Sequence, residues 1–430
     1  MKWSLRRAVA AGAATVVALA ALSGCAASSR TPAHDGAGAG PAWSGTWAAA
    51  QQRAMPGNEW FGPNWSLAGF AEQSVRQLVR VSAGGSQVRI RLSNLYGATP
   101  LRIAGATIAV AGNGAAVQPG TVRALRFAGS PSTTIPEGVT AASDAVPLSV
   151  APGQTLTVTA YFAEPTGAAT FHQAGFTTTY RADGNHLLDQ DAAAFAGETS
   201  HSWYYLTGVD VAGEPNRPGH AVVAFGDSLT DGSMSTPNSN HRYPDLLADR
   251  LIAEGKPMGV LNAGINGNMV LTDYPCFAGE KATTRVNRDL LEQPGVRTVI
   301  VLQGINDIGL GGTDTGCAAP PAVTPARLIE GHRALIHAAH THGIKIIGAT
   351  VPPFRGNPLY FTEANNATRI ALNQWIRDSG EYDAVADIDR ILGNPANPDT
   401  LLPAYDSGDN MHPNDAGMKA IADAIDLNTL

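Results

Sequence analysis

The residue types and spacings able to do chemistry in this chain centre on one serine and one histidine. Ser228 stands in Phe225-Gly226-Asp227-Ser228-Leu229-Thr230-Asp231-Gly232. A serine hydroxyl is a weak nucleophile on its own and needs a base within hydrogen-bond reach, with a third group to orient that base. The run Asp409-Asn410-Met411-His412 offers both from one loop. His412 would take the Ser228 proton, and Asp409 would hold the imidazole tautomer and stabilise the imidazolium as it forms. Together the residues suit attack on an ester carbonyl. The serine run is not a nucleophile elbow, because Thr230 occupies a position where Gly-x-Ser-x-Gly requires glycine. The Asp-x-x-His run also has a purely structural use as a surface loop. Asp227 is assigned a local structural role.

Those residues need a scaffold, and the periodicity after residue 219 supplies one. Short apolar runs at Ala221 to Phe225, Met258 to Leu261, Val296 to Leu302, Ile344 to Ala349 and Ala384 to Ile388 suit buried parallel strands. Amphipathic helices lie between them. In the clearest, Thr324 is the N-cap, Pro325 takes the first position, Leu328, Ile329, Leu335 and Ile336 repeat at helical spacing, and Gly343 follows the end. Asn414 caps a last helix carrying Met418, Ile421, Ala422 and Ile425. Alternating strands and helices predict an open, mostly parallel α/β sheet whose functional residues gather at the carboxyl ends of its strands.

Residues 42–212 read differently. Val88, Ile90 and Leu92 alternate with Gln87, Arg89 and Arg91, and Leu156, Val158 and Ala160 alternate with Thr155, Thr157 and Thr159. Such period-two runs predict half-buried strands, and Gly84-Gly85, Pro119-Gly120 and Pro152-Gly153 punctuate them as turns. The expectation is an antiparallel β-sandwich. Its aromatic residues, Trp43, Trp47, Trp60, Phe61, Trp65 and Phe70, suit either a sugar-binding platform or core packing. Residues 213–219 form a linker by composition, and the second domain spans 220–430.

The chain opens with Lys2, Arg6 and Arg7 before the apolar stretch Ala8 to Leu22, the pattern of an export signal over residues 1–25. It ends in Leu22-Ser23-Gly24-Cys25, which resembles the bacterial lipobox and marks Cys25 for lipidation. An ordinary signal peptide with an incidental Cys is the alternative. Residues 26–41, rich in Ala, Ser, Gly, Thr and Pro, are a flexible tether. The expected location is exported and membrane-anchored through Cys25. Cys276 and Cys317 then remain as one pair in an oxidising compartment and are expected to form a disulfide, with two buried thiols as the alternative. A net charge of −7 without a long basic run after the leader gives no face for nucleic acid. His332, His337, His340 and His342 crowd one helix without metal-ligand spacing, and no phosphate loop or Cys-x-x-Cys is present, so no cofactor is expected.

Four segments in order, Gly226-Asp227-Ser228-Leu229, Asn262-Ala263-Gly264-Ile265-Asn266-Gly267, Gly304-Ile305-Asn306-Asp307 and Asp409-Asn410-Met411-His412, resemble the four blocks of the SGNH (GDSL) hydrolases. The resemblance covers His220 to Leu430 and implies a flavodoxin-like three-layer α/β/α fold. It matches Ser228 to the nucleophile, Gly267 and Asn306 to oxyanion-hole donors, and Asp409 and His412 to the rest of the triad. The physical roles fit: Gly267 lacks a Cβ, so its N–H can approach a substrate oxygen closely, and Asn306 can aim a side-chain N–H at the same point, which with the Ser228 N–H makes three donors. Gly267 as a tight turn and Asn306 as a loop cap are the structural alternatives. The β-rich region resembles the N-terminal half of a two-domain actinobacterial-type subgroup. The family spans thioesterases, lysophospholipases, arylesterases and polysaccharide esterases, which implies an ester substrate, an acylated glycan or lipid among the options. A carbohydrate O-deacetylase or acyltransferase is the alternative enzyme. A glycan-binding surface lipoprotein with an inactive hydrolase domain is the alternative outside catalysis.

Overall fold

Val88, Ile90 and Leu92 all turn into the interior from strand β3 (Gly85–Ser93), while Gln87, Arg89 and Arg91 face partly outward, as a period of two requires. The computed structural model describes residues 42–59, 61–213, 220–274, 278–315 and 319–430. The leader, the tether, Cys25, Trp60, Cys276, Cys317 and all of the linker except Gly213 lie outside the described residues.

The first domain consists of antiparallel sheets. In one, β1 (Trp43–Ala48) pairs with β8 (Leu206–Ala212) and β8 with β3, whose other edge takes Thr140–Ala142 and β5 (Val146–Val150). In the other, β2 (Gln73–Arg80) lies between β7 (Thr179–Asp183) and β6 (Thr155–Phe162), and β6 also pairs with β4 (Gly105–Val110). Both sheets contribute to one core, with Val88, Ile90 and Val209 from the first and Val75, Ile108 and Val158 from the second. One expectation changes here, and one open alternative narrows. Thr157 and Thr159 are buried as well as their apolar neighbours, because Arg76 crosses that face, donates to Thr159 Oγ1 at 3.0 Å and reaches the carbonyls of His186 and Asp189 in the covering loop. Trp47, Trp65 and Phe70 belong to the core, so they form no exposed platform.

The second domain has one parallel sheet of five strands in the order β10 (Gly259–Gly264), β9 (Ala221–Gly226), β11 (Val296–Leu302), β12 (Lys345–Ala349) and β13 (Ala384–Ala386). This is the flavodoxin-like order, with its switch point beside β9. Every residue of β9 is buried. Around the sheet run α1 (Ser228–Asp231), α2 (Tyr243–Ala253), α3 (Ala282–Val286), α4 (Ile305–Leu310), α5 (Pro325–Thr341), α6 (Glu363–Asp378), α7 (Ile388–Leu392) and α8 (Asp415–Ala424). Thr324 Oγ1 caps α5 by accepting from Arg327 N at 3.3 Å, and Asn414 caps α8 by accepting from Gly417 N at 3.1 Å. His337 and His340 are exposed on α5 and His342 just past its end, whereas His332 is buried with Nδ1 2.6 Å from the Tyr382 hydroxyl.

The β-rich and α/β parts belong to one compact unit. Gly45 N donates to Pro294 O at 2.8 Å, Val260 N donates to Ser82 Oγ at 2.7 Å, and Arg91 donates to Gln293 at 2.8 Å. Hydrogen bonds of this kind satisfy strand-edge groups that would otherwise be buried without partners.

Candidate active site

At the carboxyl end of β9 the chain leaves the sheet and begins the single turn of α1 at Ser228. Asp227 caps this turn, its Oδ1 accepting from Leu229 N at 3.1 Å. Burial pushes the Asp227 carboxyl up to about 8, since the Leu229 N–H compensates it only in part and Asp307 lies nearby. Its second oxygen has no hydrogen-bond partner among the described residues. Gly264 allows α1 to lie against the end of β10, because a Cβ there would stand 2.2 Å from Asp231 N. Arg285 braces the same strand ends from within the core. It donates to Gly226 O at 2.7 Å and Ala263 O at 2.8 Å, and its guanidinium stacks 4.1 Å from the Phe225 ring centroid.

The loop before α8 brings the base. His412 Nε2 lies 2.9 Å from Ser228 Oγ, and His412 Nδ1 lies 2.5 Å from Asp409 Oδ2. The other Asp409 oxygen accepts from Met411 N at 2.9 Å and His412 N at 2.7 Å, so one carboxylate shapes the loop and orients the ring. Asn410 makes the tight turn between them at φ 60°. Burial alone would raise the Asp409 carboxyl, but the His412 ring and these backbone N–H groups outweigh it and hold it down at about 2.

Gly267 has φ 72°, a left-handed conformation that suits glycine, which adds a conformational reason to the steric one for this residue. Its neighbours are pinned on both sides. Asn266 donates to Asp231 Oδ2 through its backbone N at 3.1 Å and its side chain at 2.6 Å. Asn268 Oδ1 accepts from Arg285 at 2.9 Å and from Gln303 at 3.0 Å. Asn306, in the first turn of α4, commits one amide hydrogen to Asn268 O at 3.0 Å, and a primary amide carries a second. Asp307 ties the two segments together by accepting from Val270 N at 2.8 Å and Leu271 N at 3.0 Å. Burial raises its carboxyl to about 6 against the opposing pull of those N–H groups.

The structure thus brings together Ser228, His412 and Asp409 by direct hydrogen bonds, and joins Gly267 to Asn306 through Asn268. Residues 224–420 match the family model described as the GDSL-like lipase/acylhydrolase family. This domain belongs to that family. No curated protein matches the chain. Among solved structures, the GDSL domain is similar to a GDSL-like lipase from Bacteroides thetaiotaomicron, at 17% identity over 49% of this chain and 87% of that one, TM-score 0.37. It is also similar to an aryl esterase from M. smegmatis, at 18% identity over 48% and 96%, TM-score 0.38. A third similar structure is a carbohydrate acetylesterase from Sinorhizobium meliloti, at 19% identity over 48% and 95%, TM-score 0.36.

Two residues near the GDSL site carry no sequence signal. The Tyr360 hydroxyl donates to Asn306 Oδ1 at 2.7 Å, and Asn357 Nδ2 donates to Asp409 O at 2.9 Å. Both lie between β12 and α6, a stretch with neither helical nor strand periodicity. Asp231 and Asn266 did stand inside the quoted motifs, but only their contact reveals a shared task.

Proposed function

We propose that the protein is a serine esterase that cleaves carboxylic esters through an acyl-enzyme on Ser228. The observation that carries this reading is the 2.9 Å approach of His412 Nε2 to Ser228 Oγ, with Asp409 on the opposite ring nitrogen. Membership of the domain in a lipase/acylhydrolase family supports it. His412 removes the Ser228 proton as Oγ attacks the carbonyl carbon, and the N–H groups of Ser228 and Gly267 and the Asn306 amide hold the resulting oxyanion. Collapse expels the alcohol, which takes its proton from His412. Water, deprotonated by His412, then attacks the acyl-enzyme, and the carboxylic acid leaves as Ser228 regains its proton. Asp409 remains ionised throughout, consistent with a carboxyl held at about 2.

Ser228→Ala is expected to abolish hydrolysis of a short-chain aryl ester, and labelling by a fluorophosphonate, while leaving the thermal midpoint close to that of the parent. Turnover by this variant would overturn the reading. A screen across acyl length and alcohol type, including acetylated xylan and lysophospholipid, assigns the substrate class. We propose further that the protein is an exported lipoprotein, on the strength of the basic and apolar leader ending at Cys25. Metabolic labelling with palmitate should be lost in Cys25→Ala.

A further inference from the structure

His172 lies in the β-rich domain, 59 residues before Asp231, yet the two side chains meet at 2.9 Å, His172 Nε2 to Asp231 Oδ1, with both fully buried. The other ring nitrogen, Nδ1, lies 2.7 Å from Ala50 O. A carbonyl oxygen only accepts, so Nδ1 donates to Ala50 O, and a carboxylate facing Nε2 offers a second acceptor, an arrangement that favours the imidazolium. Burial alone would disfavour that charge, but Asp231 and the Ala50 carbonyl outweigh it and raise the imidazolium above its ordinary range.

The ring is also sterically held. It pairs across Phe171–His172 and Trp203–Tyr204 with Trp203, stacking on the indole at 5.6 Å and 28°. That indole meets Trp47 edge-on at 4.8 Å and lies under the Arg242 guanidinium at 5.4 Å. Arg242 is itself paired with Asp245 at 2.7 Å.

Asp231 has a divided task. One oxygen accepts a hydrogen bond from His172 Nε2, and the other accepts from the backbone N–H and the side-chain amide of Asn266, the residue before Gly267. Without His172, the first oxygen would be buried with no donor facing it, and a buried carboxylate in that state turns or neutralises. An apolar contact would hold two domains together at lower cost than a buried ion pair, so the pair is better explained by what Asp231 must grip.

We propose that His172 is a positioning residue for the oxyanion hole: it fixes the Asp231 carboxylate, which fixes Asn266 and thereby the direction of the Gly267 N–H. The β-rich domain therefore contributes to transition-state stabilisation without touching the substrate. This rests on the esterase reading above, in which the Gly267 N–H meets the oxyanion.

The test uses the complete protein and an aryl acetate. In His172→Asn, a side-chain N–H replaces Nδ1 and the donor to Asp231 is lost, whereas His172→Gln keeps a donor in the place of Nε2. The expected result is a kcat lower by about tenfold or more in His172→Asn at a KM within about threefold, with His172→Gln restored to within about threefold of the parent. Equal loss in both variants, or loss confined to KM or to the folded fraction, overturns the proposal. Should His172→Asn give no folded protein, Asp231→Asn takes its place. It must lower kcat at unchanged KM, and adding His172→Gln to it must cost nothing more, while an additive loss overturns the proposal. Ser228→Ala in the same assay separates the two inferences. If it retains turnover the esterase reading falls, whereas an inactive Ser228→Ala beside a flat His172 series overturns only the role of His172.

Discussion

The Tyr360 hydroxyl donates to Asn306 Oδ1 at 2.7 Å, while Asn306 Nδ2 donates to Asn268 O at 3.0 Å, so the amide can neither flip nor swing without losing both partners. Asn306→Ala should therefore lower kcat for an aryl ester by about a hundredfold to a thousandfold, the loss seen when a preorganised oxyanion donor is removed. Tyr360→Phe leaves the amide in place but frees its orientation, and should lower kcat by about three- to tenfold, in line with about 1 kcal/mol for one neutral hydrogen bond. Steady-state kinetics on both variants check the order, and a larger loss in Tyr360→Phe than in Asn306→Ala would be inconsistent with it.

Asp409 carries both the His412 ring and the backbone of its loop. Asp409→Asn preserves an oxygen for Met411 N and His412 N but presents the wrong partner to the ring, so kcat should fall by about 10⁴-fold, and near neutral pH the variant should lack the stability that the ionised carboxylate contributes. The Asp409 carboxyl is depressed from 3.8 to about 2 in the folded protein. Its stabilising contribution is present above pH 3.8 and is lost as pH falls toward 2. Acid denaturation of the parent should contain a component in that window that Asp409→Asn lacks.

Asp227 predicts a slope of opposite sign. Its carboxyl is raised from 3.8 to about 8 by burial, so the neutral form fits the fold and the ionised form does not. The favourable contribution is complete below 3.8 and disappears as pH rises to about 8. Asp227→Asn keeps the acceptor for Leu229 N and removes the ionisation. Thermal midpoints measured from pH 4 to 8 should decline less in this variant than in the parent.

Arg285 is fully buried and joins the ends of β9 and β10 to Asn268 and to Asp289, 3.2 Å away. Removing it leaves Asp289 paired with Arg288, 2.8 Å away, but loses charged-donor hydrogen bonds to Gly226 O, Ala263 O and Asn268 Oδ1, a cost on the order of 3 kcal/mol. Arg285→Met should lower stability to chemical denaturation by that order and should reduce activity in the fraction that remains folded, because Gly226 and Asn268 lose a common brace.

Much of the second domain was legible because its signals are local. The apolar run Val296 to Leu302 is strand β11 with those bounds, and Thr324, Pro325 and Gly343 frame α5 as capping chemistry requires. Runs at Met258 and Ile344 were displaced by one residue at their starts, and the strand at Ala384 ends at Ala386, since α7 begins at Ile388. In the first domain, alternation identified inward residues but not what covers the outward ones, and Arg76 with its loop is a contact between distant segments.

The sequence by itself determined which residues could act and the order of the strands and helices that carry them, because residue type, turn chemistry and periodicity are written within a few positions of each other. Ser228, Asp409 and His412 were named on that basis, and Gly267 and Asn306 through the resemblance of their blocks to a family. Tertiary structure alone decided who holds them: Tyr360 on Asn306 from 54 residues away, Asn357 on Asp409 from 52, and His172 on Asp231 from 59. A tyrosine, an asparagine and a histidine have no fixed partner until packing excludes water and leaves each polar atom one acceptor or donor within reach.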